Sequence, residues 1–211
     1  MTIHGLSRIA GTSVVTLATI ACGATHAPAP AGASTATGTP DQETLRMPSP
    51  SMLPTLKVGS TVTVDLRAYF ARRPALGDII VFHPPAGADP AVPVCGAPRE
   101  GLDRSSGGVY PQACGVPTRH ESVQTFLKRI VGLPGDKVAI VNGHVLRNGV
   151  REKEPYVSPC VGGPTCTFRK PITIPRGEYF TLGDNRGESD DSRFWGPIHR
   201  PWIIGKVIHH T

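Results

Sequence analysis

Two serines, Ser49 and Ser51, stand in the run MPSPSMLPTL at 47–56, where Pro48, Pro50 and Pro54 stiffen the chain. Proline fixes φ and withholds its own N–H, so neighbouring hydroxyls are presented rather than tied into a backbone ladder. A presented hydroxyl becomes a nucleophile when an adjacent base takes its proton. A second segment, FLKRIVGLPGDKV at 126–138, sets Lys128 among Phe126, Leu127, Ile130 and Val131. A third, LGDNRGESDDSRFWGPI at 182–198, brings the hydroxyls of Ser189 and Ser192 and an Asp191/Arg193 pair. Taken singly, each segment has a plain reading: a surface turn with capping serines, a lysine snorkelling at a strand edge, a polar loop network. The usual catalytic signatures are missing. There is no G-x-S-x-G, S-x-x-K or H-E-x-x-H, no Gly-rich loop ending in GK[ST], and no histidine with an obvious Ser and Asp.

The elements that must position these groups read as strands. Gly and Pro make up 46 of 211 residues, and both interrupt helix interiors, which excludes an all-α bundle or a coiled coil. Val58, Val62 and Val64 lie in KVGSTVTVDL, where Thr61 and Thr63 alternate with valines as in a half-buried strand. IIVFHPP after Gly77-Asp78, TFLKRIVG, EYFTLGDN and WIIGKVIHH are further strand candidates. In KVAIVNGHVLRNG, Asn142-Gly143 between alternating apolar residues signals a hairpin, because both turn positions need φ > 0. Arg67 to Arg73 has room for one helical turn or two. The expected fold is mainly β, a barrel-like or multi-sheet domain with few short helices.

Composition divides the chain. Ile9 to Ala24 carries no charge and follows Arg8; its 16 residues are short for a bilayer span, for which about 20 is usual. Residues 23–44 are almost entirely Ala, Thr, Pro, Gly and Ser and read as an extended linker. The expected organisation is a hydrophobic anchor or signal segment at 1–22, a linker at 23–44, and a folded domain at 45–211 with an irregular insertion at 89–120. One basic residue, Arg8, and the amino terminus before the apolar run are expected to keep the start inside and send the rest across. The run is open to three readings: an uncleaved anchor, a cleaved signal peptide, or a lipoprotein signal with Cys22 acylated. The remaining cysteines, Cys95, Cys114, Cys160 and Cys166, are even in number, as suits export. They allow three pairings, of which Cys95–Cys114 with Cys160–Cys166 closes the shortest loops. Zinc is disfavoured, since there is no C-x-x-C among the four. Beyond residue 44 the chain holds 21 basic and 14 acidic residues, a net +7. Such a surface suits anionic lipid headgroups, or is simply solvated. Export and the lack of a basic-aromatic patch argue against nucleic acid.

Together the dense segments resemble the bacterial type I signal peptidases, membrane-bound serine proteases that remove signal peptides from exported proteins. The resemblance rests on Ser51-Met52-Leu53-Pro54-Thr55-Leu56, Gly77-Asp78-Ile79-Ile80-Val81-Phe82, Lys128-Arg129 leading into Gly132-Leu133-Pro134-Gly135-Asp136, and Gly183-Asp184-Asn185-Arg186 followed by Ser189, Asp191-Ser192-Arg193 and Trp195-Gly196. These occur in family order over roughly residues 47–198. The resemblance implies a Ser–Lys dyad, with Ser51 as nucleophile and Lys128 as general base, and no cofactor. A lysine of pKa about 10.4 is neutral in only about one molecule in 2,500 at pH 7. Burial among apolar neighbours is therefore expected to lower the Lys128 pKa. The resemblance assigns the oxyanion donors to the Ser51 backbone N–H and the Ser49 hydroxyl. Pro50 stands between them where the family has a small residue, which stiffens the loop and leaves the Ser51 N–H in place.

By the same resemblance Ser189 holds the lysine amine, while Arg129, Asp184, Asp191 and Arg193 support the site. Met47, Met52, Leu56, Phe126 and Leu127 would line shallow pockets for a small-x-small motif in an extended peptide, which adds to a strand edge. The Cys160–Cys166 spacing resembles a disulfide of some members. The implied partners are exported preproteins and membrane lipids. The implied location is the bacterial cytoplasmic membrane, with the N-terminus inside and the catalytic domain outside. Competing readings are a specialised Ser–Lys processing peptidase of pilus or conjugation type, and an exported binding module that keeps the fold without catalysis.

Overall fold

The computed structural model describes residues 41–88, 94–97, 111–158, 160 and 163–211. Residues 1–40, with Cys22 and the apolar run, and most of the insertion at 89–120 lie outside the described residues. In chain order the strands are β1 (Gln42–Arg46), β2 (Thr61–Asp65), β3 (Ile79–Phe82), β4 (Phe126–Gly132), β5 (Lys137–Val141), β6 (His144–Arg147), β7 (Val150–Arg151), β8 (Phe168–Thr173), β9 (Glu178–Leu182), β10 (Ile198–His199) and β11 (Ile203–His210). Among the described residues, one short α-helix, α1 (Ser192–Trp195), accompanies three 3₁₀ turns. A seven-stranded antiparallel sheet runs β1-β2-β11-β3-β4-β9-β10, and a four-stranded one runs β7-β6-β5-β8. The fold is mainly β, as the alternation and turn residues predict.

Local chemistry explains the turns. Asn142 and Gly143 have φ of 52° and 78°, the two positive values that a two-residue hairpin needs, and they join β5 to β6 in register Val141↔His144. Asn148-Gly149 repeats the device between β6 and β7, with φ of 54° and 83°. Three readings of the sequence differ from the structure. Val58 is 55% exposed and precedes the strand, because Gly59 turns at φ 81°. Arg67 to Arg73 forms turns and bends without helix, with Phe70 N–H bonded to Arg67 C=O. Gln42 to Thr44 belong to β1 rather than to an extended linker. Leu45 is the only apolar residue of β1, so β1 exists through its ladder to β2, from Gln42↔Asp65 to Arg46↔Thr61. β8 contains Pro171, which is tolerated because β8 is an edge strand.

The core falls into three clusters that bracket the large sheet. Val138, Ile140, Phe168, Phe180 and Leu182 fill the space beneath the small sheet. Tyr69, Ile80, Phe82, Ile130 and Trp195 form a second cluster. Met47, Met52, Leu56, Val62, Val81 and Val207 form the third. All five residues of β9 are buried, because Phe180 and Leu182 pack into the first cluster and Tyr179 into the second. Gly132 on β4 is forced by packing: a Cβ there would lie 2.9 Å from Val138 Cγ2. Cys95 bonds Cys114 and Cys160 bonds Cys166, with Cα separations of 5.8 and 5.5 Å. These are the two local pairings.

Candidate active site

Ser51 lies in a single 3₁₀ turn, Pro50–Met52, with proline in its first turn, where the missing N–H costs nothing. The turn buries Ser51 to 6% exposure and Met52 completely. Lys128 is the third residue of β4 and points at it: Nζ donates to Ser51 Oγ at 3.0 Å. The Ser49 and Ser51 hydroxyls are 3.1 Å apart. So Ser49 and Ser51 from one segment and Lys128 from another, all singled out in the sequence, converge on one point.

Lys128 is 5% exposed. Loss of water around its ammonium pulls its pKa from 10.5 to about 8, while the Asp191 and Asp190 carboxylates hold it from falling further and Arg193 depresses it. The displacement is in the direction a general base would need, and its largest cause is burial. At pH 7 roughly one lysine in ten is neutral at such a pKa, against about one in 3,000 at the ordinary value.

Two buried ion pairs lock the loops around this point. Asp184 takes Nε and Nη2 of Arg129 at 2.8 and 2.7 Å and the Thr55 hydroxyl at 2.5 Å. Arg129 also donates to Gly77 C=O at 2.9 Å and lies 4.0 Å over the Tyr156 ring. Asp191 takes Nε and Nη2 of Arg193 at 2.7 and 3.0 Å and the Gly183 N–H at 3.1 Å, and caps α1 through Arg193 N–H. The Asn185 N–H donates to Ser51 C=O at 3.1 Å, and its side-chain amide to Pro50 C=O at 3.3 Å. The serine turn is thus held from behind by the 183–185 loop. A Cβ on Gly183 would collide with Ser51 C=O and the Ser189 side chain, so only glycine lets the two segments meet.

A groove of about 510 Å³ opens beside Ser51 and Lys128. Met47, Phe126 and Leu127 line it, joined by Leu45, Val62 and Ile204. Met52 and Leu56 do not: they are 0% and 1% exposed and belong to the core beneath. The 3₁₀ turn aims Met52 inward, a direction that spacing alone does not reveal. Ser189 also differs from expectation. Its hydroxyl turns to Asp190 C=O at 3.5 Å, whereas the hydroxyl that receives the Lys128 amine is that of Ser51. Thr55, Asn185 and Gly183 stand in the motif segments, but no role for them was legible. Glu154 had no signal at all. It meets the buried Arg186 at 2.7 Å and, with Arg186 Nε on Gly183 C=O at 3.0 Å, ties the small sheet to the 183–186 loop.

A family model described as signal peptidase, peptidase S26, matches residues 32–210. A signal peptidase I of Leptolyngbya laminosa is 35% identical over 162 residues, 77% of this chain and 64% of that protein. A signal peptidase IB of Staphylococcus aureus strain N315 is 30% identical over 171 residues, covering 74% of this chain and 71% of its own length. The crystal structure of a signal peptidase I from Enterococcus faecalis aligns at 27% identity and a TM-score of 0.37, over 64% of this chain and 97% of that one. The chain spans about two thirds of the length of these curated relatives. With the family match running through every segment that builds the Ser51–Lys128 site, the chain belongs to the signal peptidase family, peptidase S26.

Proposed function

We propose that this chain is a serine endopeptidase that removes N-terminal signal peptides from exported preproteins, cutting after a small-x-small motif. The observation that carries the reading is the buried Lys128 amine 3.0 Å from Ser51 Oγ. Neutral Lys128 takes the Ser51 proton as Oγ attacks the scissile carbonyl. The Ser51 backbone N–H and the Ser49 hydroxyl receive the negative charge that develops on the carbonyl oxygen. Protonated Lys128 then gives its proton to the leaving amine, and a water activated by the same amine hydrolyses the acyl-enzyme. Arg129, Asp184, Asp191 and Arg193 never touch the substrate; they hold the loops that carry the reacting groups.

The peptide lies extended along the groove. β4 pairs with β3 from Phe126 onward, whereas β9 joins its other edge only from Arg129. That leaves the Phe126–Lys128 backbone open on the β9 side for strand addition, with Met47, Phe126 and Leu127 as side-chain walls. The proposed topology keeps residues 1–22 as an anchor or signal segment and 23–44 as a tether, with the domain on the outer face of the cytoplasmic membrane. No helix of the described residues is long and apolar enough to cross a membrane. The test uses the whole chain in neutral detergent with a preprotein substrate, beside Ser51→Ala and Lys128→Ala. Cleavage at the small-x-small site by the wild type and loss in both variants support the reading. A wild type that binds the preprotein without cutting it, or variants that still cut, would sink it.

A further inference from the structure

At the far end of β4 from Phe126 lies a second cleft of about 510 Å³, walled by Arg73, Arg176 and Arg200 with Gly135, Gly177 and Tyr179. From Lys128 to Gly132, where β4 ends, the chain advances four residues, about 13 Å at roughly 3.3 Å per strand residue, and the cleft at Pro134 lies beyond, sharing no lining residue with the groove. The cleft is thus separate from the proposed catalytic groove. Its three guanidinium groups arrive from three parts of the chain: the loop after β2, the turn before β9, and the 3₁₀ turn after β10. Like charges repel, so a fold that gathers three of them in one concavity holds a site of positive potential.

No carboxylate lines this cleft. Glu178 follows Gly177, but its side chain pairs with His199 at 3.2 Å, and strand alternation sets it opposite Tyr179. Asp136 follows Gly135, and it accepts from Leu133 N–H at 2.9 Å and Asn148 Nδ2 at 2.7 Å. Among the described residues neither Arg73 nor Arg176 has an ion-pair partner. Arg200 is pre-set: its backbone N–H bonds Gly177 C=O at 2.9 Å and Nη2 bonds Tyr69 C=O at 2.6 Å. A Cβ on Gly135 or Gly177 would meet nothing within 4 Å, so these turns leave the mouth clear.

We infer that the three-arginine cleft binds a phosphate group. Guanidinium forks match phosphate oxygens bidentately, and three of them offer more donors than one carboxylate accepts. Two sources share this chemistry, a phospholipid headgroup and a soluble phosphate. The loop that carries Arg73 also exposes Phe70 (76%) and Leu76 (38%), apolar side chains suited to the lipid source.

The test titrates the whole chain in neutral detergent with inorganic phosphate, dihexanoyl-phosphatidylglycerol and dihexanoyl-phosphatidylcholine, followed by calorimetry. Saturable binding of phosphate or of the anionic lipid is expected, weakened at least tenfold in R73Q/R176Q. The charge-matched control R151Q/K153Q keeps wild-type affinity, and circular dichroism verifies that both variants are folded. Phosphatidylglycerol binding more tightly than both other probes assigns the site to a headgroup; phosphate binding as tightly assigns it to a soluble ligand. The inference fails if neither anionic probe saturates, if R73Q/R176Q binds like wild type, or if the control loses as much.

Discussion

Replacing Lys128 by methionine keeps the length and apolar stem of the side chain and removes its charge. The lysine titrates near 8 in the folded chain and, with its ordinary value, near 10.5 in the unfolded one. Below pH 8 both states carry the proton, and the folded state bears the full cost of a buried ammonium, about 3 kcal/mol at roughly 1.36 kcal/mol per pH unit between the two values. Between pH 8 and 10.5 the unfolded state binds more protons, so wild-type stability rises with pH and then levels off. The variant lacks this dependence. It also lacks the bond from Nζ to Ser51 Oγ, worth about 1 kcal/mol net. At pH 6–7 Lys128→Met is therefore expected to be more stable than wild type by about 2 kcal/mol. The advantage shrinks through pH 8–10.5 and ends as a small deficit. Urea unfolding of both chains from pH 6 to 10.5 measures the gap directly, and groups unlinked to Lys128 cancel in the difference. A gap that does not change with pH, or a variant already less stable at pH 6, would refute the burial argument.

Activity should follow the same titration: kcat/KM rises about tenfold per pH unit below pH 8 and flattens above it, so a flat profile from pH 6 to 9 removes Lys128 as the base. Ser49→Ala is expected to lower kcat by about 10²-fold with KM little changed, as loss of one oxyanion donor does; a rise in KM alone would place Ser49 in substrate binding instead. Asp184→Ala leaves Arg129 buried without its carboxylate and should cost about 3–5 kcal/mol of stability, read as a lowered Tm in calorimetry. Gly183→Ala drives a methyl group into Ser51 C=O and Ser189; a chain that folds with this change should lose most of its peptidase activity, and full activity would contradict the packing.

The hairpin at Asn142-Gly143 and the strand containing Lys128 were legible because each depends on residue type at short range, whereas the pairing of Ser51 with Lys128 came from the family resemblance and not from local pattern. An Asn-Gly pair needs nothing distant to choose its dihedrals, whereas the burial of Lys128, read locally as a snorkelling edge lysine, was expected only once the resemblance made it a base. β1 and β8 were not legible. The first has one apolar residue and forms only because β2 offers a ladder, and the second hides behind Pro171. The direction of Met52 and Leu56 depends on a 3₁₀ turn whose sense is set by Asn185 and Gly183, some 130 residues away. Glu154 escaped notice for the same reason, since its partner Arg186 is 32 residues distant. What sequence withholds here is contact between remote segments.

β11 lies between β2 and β3 in the large sheet, although it follows both by well over a hundred residues. Until it is synthesised, β2 and β3 have no common neighbour, and Val207, which packs in one cluster with Met52 of the serine turn, is missing. Closing so long a loop is slow, because its entropy must be lost before the contacts return it. An unfinished chain would thus hold Ser51 and Lys128 apart, 77 positions from each other in sequence. On the proposed peptidase reading, the reacting pair comes together only when the domain is complete.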